Sequence, residues 1–351
     1  MNKLENLHTG LTFDDVILVP QYSEIQSRKD PSVKTKAGSV DLNIPIISSP
    51  MNTVTEKLMI RTMSDLGGSS VLHRYLSVDA QIQQIKEANL ENIPDFFVAV
   101  GGTGDYLDRA KKIYDSTGIR NFCVDVANGH SKFCIEATKA LVKENFIVMA
   151  GNVCTYKGAL MLADAGADSI RVGIGPGSMC STRQVTGHGI PQLTAIEECY
   201  RIKTRAGHAN VGIIADGGLK TSGDAVKALA VGADALMVGG ILAGTSETPG
   251  EVFDFGTEHS YKIYAGMASE KGRELGGWFD RTKTSFVPEG ASTKVPHKGP
   301  VRSVLDNFVG GIKVGMSYSG AVSLQNLREV AQFMRVTQNG FTEGTPHGVR
   351  K

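Results

Sequence analysis

A cysteine in a glycine-rich segment is the first candidate for chemistry in this sequence. The segment GIGPGSMCSTRQVTGHGIPQ spans residues 173–192 and places Cys180 after a Gly-Pro-Gly-Ser turn. Thr182 and Arg183 follow within three positions. A turn exposes a thiol, and a neighbouring guanidinium favours the nucleophilic thiolate. Because a thiolate adds readily to an electrophilic ring carbon, we predict that Cys180 is a nucleophile. The other four cysteines fall within predicted strands or helices and are interpreted as packing residues.

Glycines at the ends of two apolar runs indicate a phosphate site. ADGG covers residues 215–218, and a second glycine pair ends the run ALMVGG at residues 235–240. Backbone N–H groups bind phosphate best where no Cβ crowds them, although such glycines can also serve only as turns. Ser178 could add a hydroxyl donor. Asp216 suits a hydrogen bond to a ribose diol, and its alternative role is to cap the following helix.

A carboxylate in a late polar segment is a candidate proton carrier. SFVPEGASTKVP places Glu289 directly before Gly290. A carboxylate on a mobile loop can shuttle protons to a leaving group once the loop has closed. The alternative is a solvated surface glutamate, which is the common state of this residue type.

These candidates must be positioned by the regular elements, and eight short apolar runs predict strands. Amphipathic stretches such as DYLDRAKKIYDS and SGDAVKALAVG separate the runs. Eight such units in series predict a (β/α)8 TIM barrel, an α/β fold. A doubly wound sheet is the alternative, but VGGTGD at 100–105 lacks the GxGxxG spacing. The predicted strands are residues 45–49, 69–73, 96–100, 121–126, 146–151, 169–173, 211–216 and 235–240.

Two insertions follow predicted strands and therefore belong at the C-terminal face of the barrel, where active sites form. One is the Cys180 loop. The other, about residues 250–300, is polar and glycine-rich and is interpreted as a mobile flap without a helix–strand unit. This convergence predicts an enzyme.

The segment after the flap is expected to form closing helices. With no linker or low-complexity tract, we expect one catalytic domain over residues 1–351.

Composition limits the classes of partner. The chain has 351 residues and a formal net charge of +1, so no basic field favours nucleic acid or a membrane surface. The apolar runs are too short and glycine-broken to span a bilayer, and the N-terminus has no apolar signal region. The five cysteines show no paired spacing, which is typical of reduced cytoplasmic thiols. Without CxxC or HExxH spacing, we expect no zinc site.

Four motifs resemble the IMP dehydrogenase/GMP reductase family: the Cys180 segment, ADGG, MVGGILAGTSETPGE and LTFDDVILVP. The resemblance covers essentially the whole chain. It implies a cytoplasmic (β/α)8 barrel enzyme, usually a homotetramer, whose cysteine attacks the purine C2 carbon. In that case Cys180, Thr182 and Glu289 would be catalytic. The carbonyl oxygens of Gly175, Gly177 and Cys180 could hold a monovalent cation such as K⁺.

The resemblance also implies subsites for the nucleotide and the cofactor. Asp125, Val126 and Ala127 would flank the nicotinamide, and Arg74 would lie near the cofactor phosphates. Ser27 and Arg28 would bind the cofactor of a neighbouring subunit. The residues implied to bind the substrate are Ser178, Asp216, Gly217, Gly218, Gly239, Gly240, Gly266, Met267, Ala268 and Gly290.

The motifs divide between the two branches of the family. The dehydrogenases generally carry paired regulatory domains after the second strand, where this chain has one predicted helix. DVANGHS, GMASE and FMRVTQ look like the reductases, whereas ISSPMNTVTE and AGTSETPGE look like the dehydrogenases. On the flap, Arg281 is present, but Thr282 stands where the dehydrogenase has a water-activating tyrosine. Ser285 and Phe286 stand where the reductase has a Tyr-Arg pair, so the flap follows neither pattern.

The resemblance implies a GMP reductase-like activity, the NADPH-dependent reductive deamination of GMP to IMP and ammonia through a covalent Cys180–purine C2 intermediate. The first alternative is IMP dehydrogenase, which oxidises IMP to XMP with NAD and water. A second alternative is a non-catalytic purine-nucleotide-binding paralogue, against which the intact Cys180–Thr182–Glu289 set argues. A deoxy or modified relative of GMP is an alternative substrate, and NADH is an alternative cofactor.

Overall fold

Eight parallel strands close into a barrel in the computed structural model, which describes residues 5, 7–93, 95–277 and 287–346. Each predicted strand is present within two residues of its expected bounds, and the (β/α)8 prediction is confirmed. The strands are β1 Val16–Leu18, β2 Thr35–Ala37, β3 Val40–Leu42, β4 Ile46–Ser48, β5 Ser69–Leu72, β6 Phe96–Val100, β7 Asn121–Asp125, β8 Ile147–Val153, β9 Ser169–Val172, β10 Gly212–Asp216, β11 Ala235–Val238, β12 Tyr261–Ala265, β13 Ser292–Pro296 and β14 Phe333–Arg335.

Strands β4 to β11 form the barrel, and helices pack around it. The barrel closes where β11 pairs with β4, with Leu236 opposite Ile46. The connection from β5 to α2 is short and holds no further domain. The helices are α1 Lys57–Asp65, α2 Val78–Glu87, α3 Tyr106–Thr117, α4 Lys132–Lys143, α5 Tyr156–Asp164, α6 Thr182–Thr186, α7 Gln192–Arg205, α8 Ser222–Val231, α9 Glu270–Leu275, α10 Val301–Tyr318, α11 Leu324–Val330 and α12 Gln338–Glu343. None in the described ranges is long and apolar enough to cross a membrane.

Side-chain alternation along the strands creates two separate cores. Phe97, Cys123 and Met149 point into the barrel and belong to one small buried cluster at its centre. Phe96 and Phe122 point outward into the larger layer between strands and helices. Since successive residues of a strand face opposite sides, a strand buried on both faces reads as a continuous apolar run. This is why the eight runs were visible in the sequence.

A hairpin that the sequence did not predict closes the N-terminal end of the barrel. Strands β2 and β3 pair antiparallel, with Thr35 opposite Leu42. Ala37, Val40 and Leu42 join the central core cluster beneath the barrel strands. The hairpin fills this end with apolar side chains, so the open end of the barrel is the C-terminal one.

The late insertion contains regular structure, and the prediction that it lacks a helix–strand unit was wrong. Strands β12 and β13 form an antiparallel pair in which Tyr261 lies opposite Pro296, and helix α9 lies between them. Lys262 is buried and donates to the carbonyl of Thr245 at 3.3 Å. The surrounding glycines obscured the alternating pattern YKIYA. The closing helices α10 and α11 were predicted, whereas the pairing of β14 with β1 was not.

Candidate active site

A cavity of about 640 Å³ opens at the C-terminal end of the barrel. It is one continuous space that reaches from Cys180 to the tip of β7 at Asp125. The predicted site residues that line it are Arg74, Asp125, Val126, Ala127, Gly175, Gly177, Ser178, Cys180, Thr182, Asp216, Gly266, Met267, Ala268, Glu289 and Gly290. Segments far apart in the sequence thus meet in one space.

The three predicted catalytic side chains form a continuous hydrogen-bonded chain. The Cys180 thiol donates to Oγ1 of Thr182 over 3.1 Å. The Thr182 hydroxyl in turn donates to Oε2 of Glu289 over 2.8 Å. Cys180 is exposed, whereas the other four cysteines are buried. The arrangement provides a path along which a proton can move between the thiol and the carboxylate.

Arg183 does not have the role that the sequence suggested for it. Its guanidinium donates to the carbonyl oxygens of Ile174, at 3.0 Å, and Ile190, at 2.5 Å. These bonds tie the two ends of the Cys180 loop together. The immediate partner of the thiol is therefore the Thr182 hydroxyl, and the arginine acts on the loop backbone instead.

The flap residues next to Glu289 hold the Cys180 loop through the backbone. Cys180 and Gly290 form an antiparallel bridge. The Ser181 amide donates to the Glu289 carbonyl over 3.0 Å, and the Ala291 amide donates to Met179 over 2.8 Å. On the other side, the Glu289 amide donates to Ala268 and the Gly266 amide donates to Ala291. Glu289 is therefore held between two loops rather than being a solvated surface residue.

The predicted phosphate loops are packed so tightly that glycine is required. Gly217 has a φ of +87°, and a Cβ on it would lie 3.0 Å from the Gly177 amide nitrogen. A Cβ on Gly239 would lie 2.8 Å from Oγ of Ser49. Gly218 and Gly240 lie beside Pro176 and Ser178, respectively. None of these four predicted substrate residues lines the cavity itself. Gly217, Gly239 and Gly240 lie directly behind it, against its lining residues Gly177, Ser49 and Ser178, respectively.

Tyr264 is a cavity residue that the sequence reasoning missed. It comes from β12, and its hydroxyl lies 3.4 Å from Oγ of Ser178 and 3.9 Å from the Met51 sulfur. Burial raises the pKa of Tyr264, which keeps its hydroxyl protonated as a hydrogen-bond donor. A strand assignment for YKIYA could have found it, because alternate residues of that strand face the barrel.

Asp216 lies at the tip of β10 and faces the cavity. Its Oδ2 accepts hydrogen bonds from Asn152 at 2.8 Å and from Nε and Nη2 of Arg171 at 3.1 and 2.8 Å. The alternative role as a helix cap was wrong. Helix α8 is capped by Thr221, whose side chain accepts from the Asp224 amide. Asp216 is therefore available for a ligand through its second oxygen.

Asp125, at the tip of β7, is bound by two arginines. Nη1 of Arg171 donates to its Oδ1 over 2.6 Å, and Nε of Arg74 donates to its Oδ2 over 3.3 Å. Burial would raise the pKa of Asp125, but the charges of Arg171 and Arg74 outweigh it and lower the pKa. Sequence reasoning missed Arg171, although a charged residue inside the apolar run SIRVG was a signal.

Other predicted residues lie elsewhere. Ser27 and Arg28 are exposed, do not line the cavity, and lie on the outer surface, where the Arg28 guanidinium is 5.8 Å from the centre of the Tyr318 ring. Their assignment to a neighbouring subunit stays a prediction. The flap residues Arg281 and Thr282, like Ser285 and Phe286, lie outside the described residues.

The predicted cation site consists of neutral carbonyl oxygens, which suit a monovalent ion better than a transition metal. Gly175 has a φ of +79°, and its Cβ position is blocked by the Arg183 side chain at 2.5 Å. The Gly177 carbonyl accepts a hydrogen bond from the Cys180 amide at 3.0 Å. No group of three or more His, Cys, Asp or Glu in the described part of the chain could hold a metal ion.

The chain is similar to known proteins over nearly its whole length. The family model for the IMP dehydrogenase / GMP reductase domain matches residues 10–347. Inosine-5'-monophosphate dehydrogenase of Cryptosporidium parvum is 37% identical over 392 residues, covering 98% of this chain and 96% of that protein. The enzyme of the same name from Bacillus subtilis (strain 168) is 32% identical over 475 residues, covering 97% and 96%. These alignments exceed the 351 residues of this chain, so both relatives contain segments that it lacks.

A solved structure matches the whole fold. The crystal structure of a cysteine-to-alanine variant of GMP reductase from Trypanosoma brucei, in complex with guanosine 5'-monophosphate, superposes with a TM-score of 0.89. The two chains share 29% sequence identity, and the match covers 100% of each. The chain therefore belongs to the IMP dehydrogenase/GMP reductase family, whose members are oxidoreductases that act on purine nucleoside monophosphates with nicotinamide cofactors.

Proposed function

We propose that this protein is a GMP reductase-like enzyme that converts GMP to IMP and ammonia at the expense of NADPH. The observation that carries the proposal is the chain from Cys180 through Thr182 to Glu289, with distances of 3.1 and 2.8 Å. A reductive deamination needs a nucleophile for C2 and an acid for the departing amine. This chain provides both at one point of the cavity.

In this proposal the nucleotide is bound by backbone and side chains of several barrel loops. The phosphate lies against the loops of Gly217, Gly218, Gly239 and Gly240, with donors from Ser178 and Tyr264. The ribose diol donates to the second oxygen of Asp216. The purine ring lies against Gly266, Met267, Ala268 and Gly290, which brings its C2 carbon to Cys180. Backbone amides and neutral hydroxyls are the usual ligands for phosphate at this face of a barrel.

The first half-reaction needs no proton other than the one that the Cys180 thiol supplies. Glu289 accepts this proton through Thr182, and Sγ of Cys180 forms a bond to C2. The same relay returns the proton to the exocyclic nitrogen, and the C2–N bond breaks with release of ammonia. The product is a covalent intermediate between Cys180 and C2. Proton transfer by a positioned group of this kind contributes about 10²- to 10⁴-fold to a rate.

The second half-reaction replaces the sulfur at C2 by hydrogen. When bound, NADPH supplies the hydride, and the C2–S bond breaks to release IMP and the Cys180 thiolate. The protein aligns the two reactants and excludes water from the cavity. The same cavity reaches Asp125, Val126 and Ala127, so it can accept a nicotinamide beside the purine, with Arg74 available for a cofactor phosphate.

Ser27 and Arg28 contribute to the cofactor site of a neighbouring subunit in a homotetramer, which suits their exposed position away from their own cavity. The carbonyl oxygens of Gly175, Gly177 and Cys180 hold K⁺ and shape the Cys180 loop. The protein acts in the cytoplasm, where its exposed thiol stays reduced.

IMP dehydrogenase is the second candidate, because the curated relatives described above carry that name. That reaction uses the same cysteine, oxidises IMP with NAD, and needs an activated water to release XMP. In this chain Thr282 stands where the dehydrogenases have the tyrosine for that step. A non-catalytic nucleotide-binding role is the third candidate, and the complete Cys180–Thr182–Glu289 chain argues against it.

The experiment is to mix the purified protein with GMP plus NADPH and, separately, with IMP plus NAD, while following absorbance of the reduced cofactor. The proposal predicts loss of absorbance in the first mixture only. Reduced cofactor formed in the second mixture alone would overturn it in favour of the dehydrogenase. Nucleotide binding by calorimetry without turnover in either mixture would indicate the binding paralogue.

A further inference from the structure

Arg171 lies between two carboxylates that the proposed function assigns to different ligands. It projects from β9 and is 6% exposed. Nη1 donates to Asp125 over 2.6 Å, whereas Nε and Nη2 donate to Asp216 over 3.1 and 2.8 Å. All three guanidinium nitrogens are therefore committed, and one side chain joins the tips of β7 and β10.

This connection depends on the shape of the guanidinium. A planar fork can donate to two carboxylates in fixed directions, whereas the lysine ammonium is a compact point charge. Burial disfavours a charge at this position, yet the carboxylates of Asp216 and Asp125 raise the pKa of Arg171. The bridge is thus charged and rigid.

Asp216 has an oxygen free to accept from a ligand, whereas both oxygens of Asp125 already accept from arginines. Oδ2 of Asp216 accepts from both Arg171 and Asn152, and no hydrogen bond within the described ranges ends on its Oδ1. Asp125 is bound by Arg74 as well as by Arg171. A ligand that approaches Asp125 competes with these arginines. The bonds to Asp125 and to Asp216 are made by one planar guanidinium, so the positions of the two carboxylates are linked through it.

We propose that Arg171 is a positioning residue that couples binding of the purine nucleotide at Asp216 to binding of the nicotinamide cofactor at Asp125. The inference rests on the proposed function, which assigns these two subsites. Coupling between two sites is reciprocal, so each ligand changes the affinity of the other by the same factor. Arg171 contacts neither reacting atom and acts only through the two aspartates.

The test measures this factor by calorimetry with pairs of ligands that cannot react together. GMP is titrated with and without NADP⁺, and IMP with and without NADH, into the wild type, Arg171→Lys and Arg201→Lys. Arg201 is the matched control, since it also joins two carboxylates, Glu197 and Glu198, on the outer helix α7. We expect a factor of about fivefold or more in the wild type and in Arg201→Lys. In Arg171→Lys the factor falls to about one while each ligand alone still binds.

Equal factors in Arg171→Lys and the wild type, or no coupling in the wild type, would overturn the inference. Should Arg171→Lys fail to fold, Asp125→Asn tests the bridge from its other end. It should weaken GMP binding about fivefold in the absence of cofactor, and unchanged affinity would overturn the inference. Failure of the proposed function would be seen separately, in the turnover assay, as reaction of IMP with NAD and no reaction of GMP with NADPH. A wild type that binds neither pair would contradict both.

Discussion

Thr182→Val tests the proton relay with the smallest change of shape. Valine replaces the hydroxyl by a methyl group and removes both contacts, at 3.1 Å to Cys180 and 2.8 Å to Glu289. The relay then loses its central donor and acceptor. Since positioned proton transfer contributes about 10²- to 10⁴-fold, kcat should fall by that factor. In barrier height this is about 3 to 5 kcal/mol.

The stability and affinity of the variant should change much less. Hydrogen bonds of this type contribute about 0.5–1.5 kcal/mol each, and both partners, the exposed Cys180 and the half-buried Glu289, can bond to water instead. We therefore expect the free energy of unfolding to fall by about 1–2 kcal/mol and the Kd of the nucleotide to change little. The assays are steady-state turnover by cofactor absorbance, thermal unfolding by circular dichroism, and calorimetric binding.

Thr186→Val is the matched control one helical turn away. The Thr186 hydroxyl donates to the Thr182 carbonyl at 2.7 Å and accepts from the His188 amide, so this change disturbs α6 without touching the relay. It should keep kcat near the wild-type value. A Thr182→Val enzyme with wild-type kcat, or an equal loss in both variants, would refute the relay.

The remaining predictions concern the nucleophile, the phosphate loop and the buried bridge. Cys180→Ala should abolish turnover and keep nucleotide binding, as judged by product analysis and calorimetry; persistent turnover would exclude a covalent step. Gly217→Ala should raise the KM for nucleotide more than it lowers kcat, because its φ is +87° and its Cβ would lie 3.0 Å from Gly177. Gly207→Ala, with a φ of +78° and open space around it, carries a similar backbone strain of about 1–2 kcal/mol and should leave KM unchanged. Arg171→Met should lower the free energy of unfolding by about 3–5 kcal/mol at pH 7, since it removes the guanidinium that pairs with both carboxylates and leaves Asp125 with Arg74 and Asp216 with the neutral Asn152. The lowered pKa of Asp125 stabilises the wild type above the unfolded pKa of about 4, and this contribution is lost as the pH falls through the folded pKa. The deficit of Arg171→Met in denaturant titrations should therefore shrink at low pH, and a constant deficit would contradict the bridge.

The barrel could be predicted from the sequence because its signal is local. Each strand is buried on both faces, so runs such as FFVAV and VGIIAD stand out without knowledge of their partners. Asp125 and Asp216 end two of these runs, and barrel topology alone brings strand tips together. Thr182 and Glu289 are 107 positions apart in the sequence. They could be placed at the same face of the barrel because the two insertions that carry them both follow barrel strands.

The features that were missed depend on tertiary contacts. The hairpin of β2 and β3 has only three residues in each strand and is stabilised by the barrel core beneath it. The pairing of Val16 with Arg335 joins the two ends of the chain, which no local pattern can indicate. Arg171 was interpreted as part of an apolar strand because its two acidic partners lie on other strands. Tyr264 was missed because its strand lies among glycines and polar residues.

The most direct test of the central claim follows the exocyclic nitrogen of the substrate. GMP labelled with ¹⁵N at the 2-amino group is incubated with NADPH and the purified protein, and ammonia, IMP and oxidised cofactor are quantified together. The proposed reaction predicts that labelled ammonia, IMP and NADP⁺ form in equal amounts and that Cys180→Ala releases none. Retention of the label in unreacted GMP, with XMP and NADH formed from IMP and NAD instead, would contradict it.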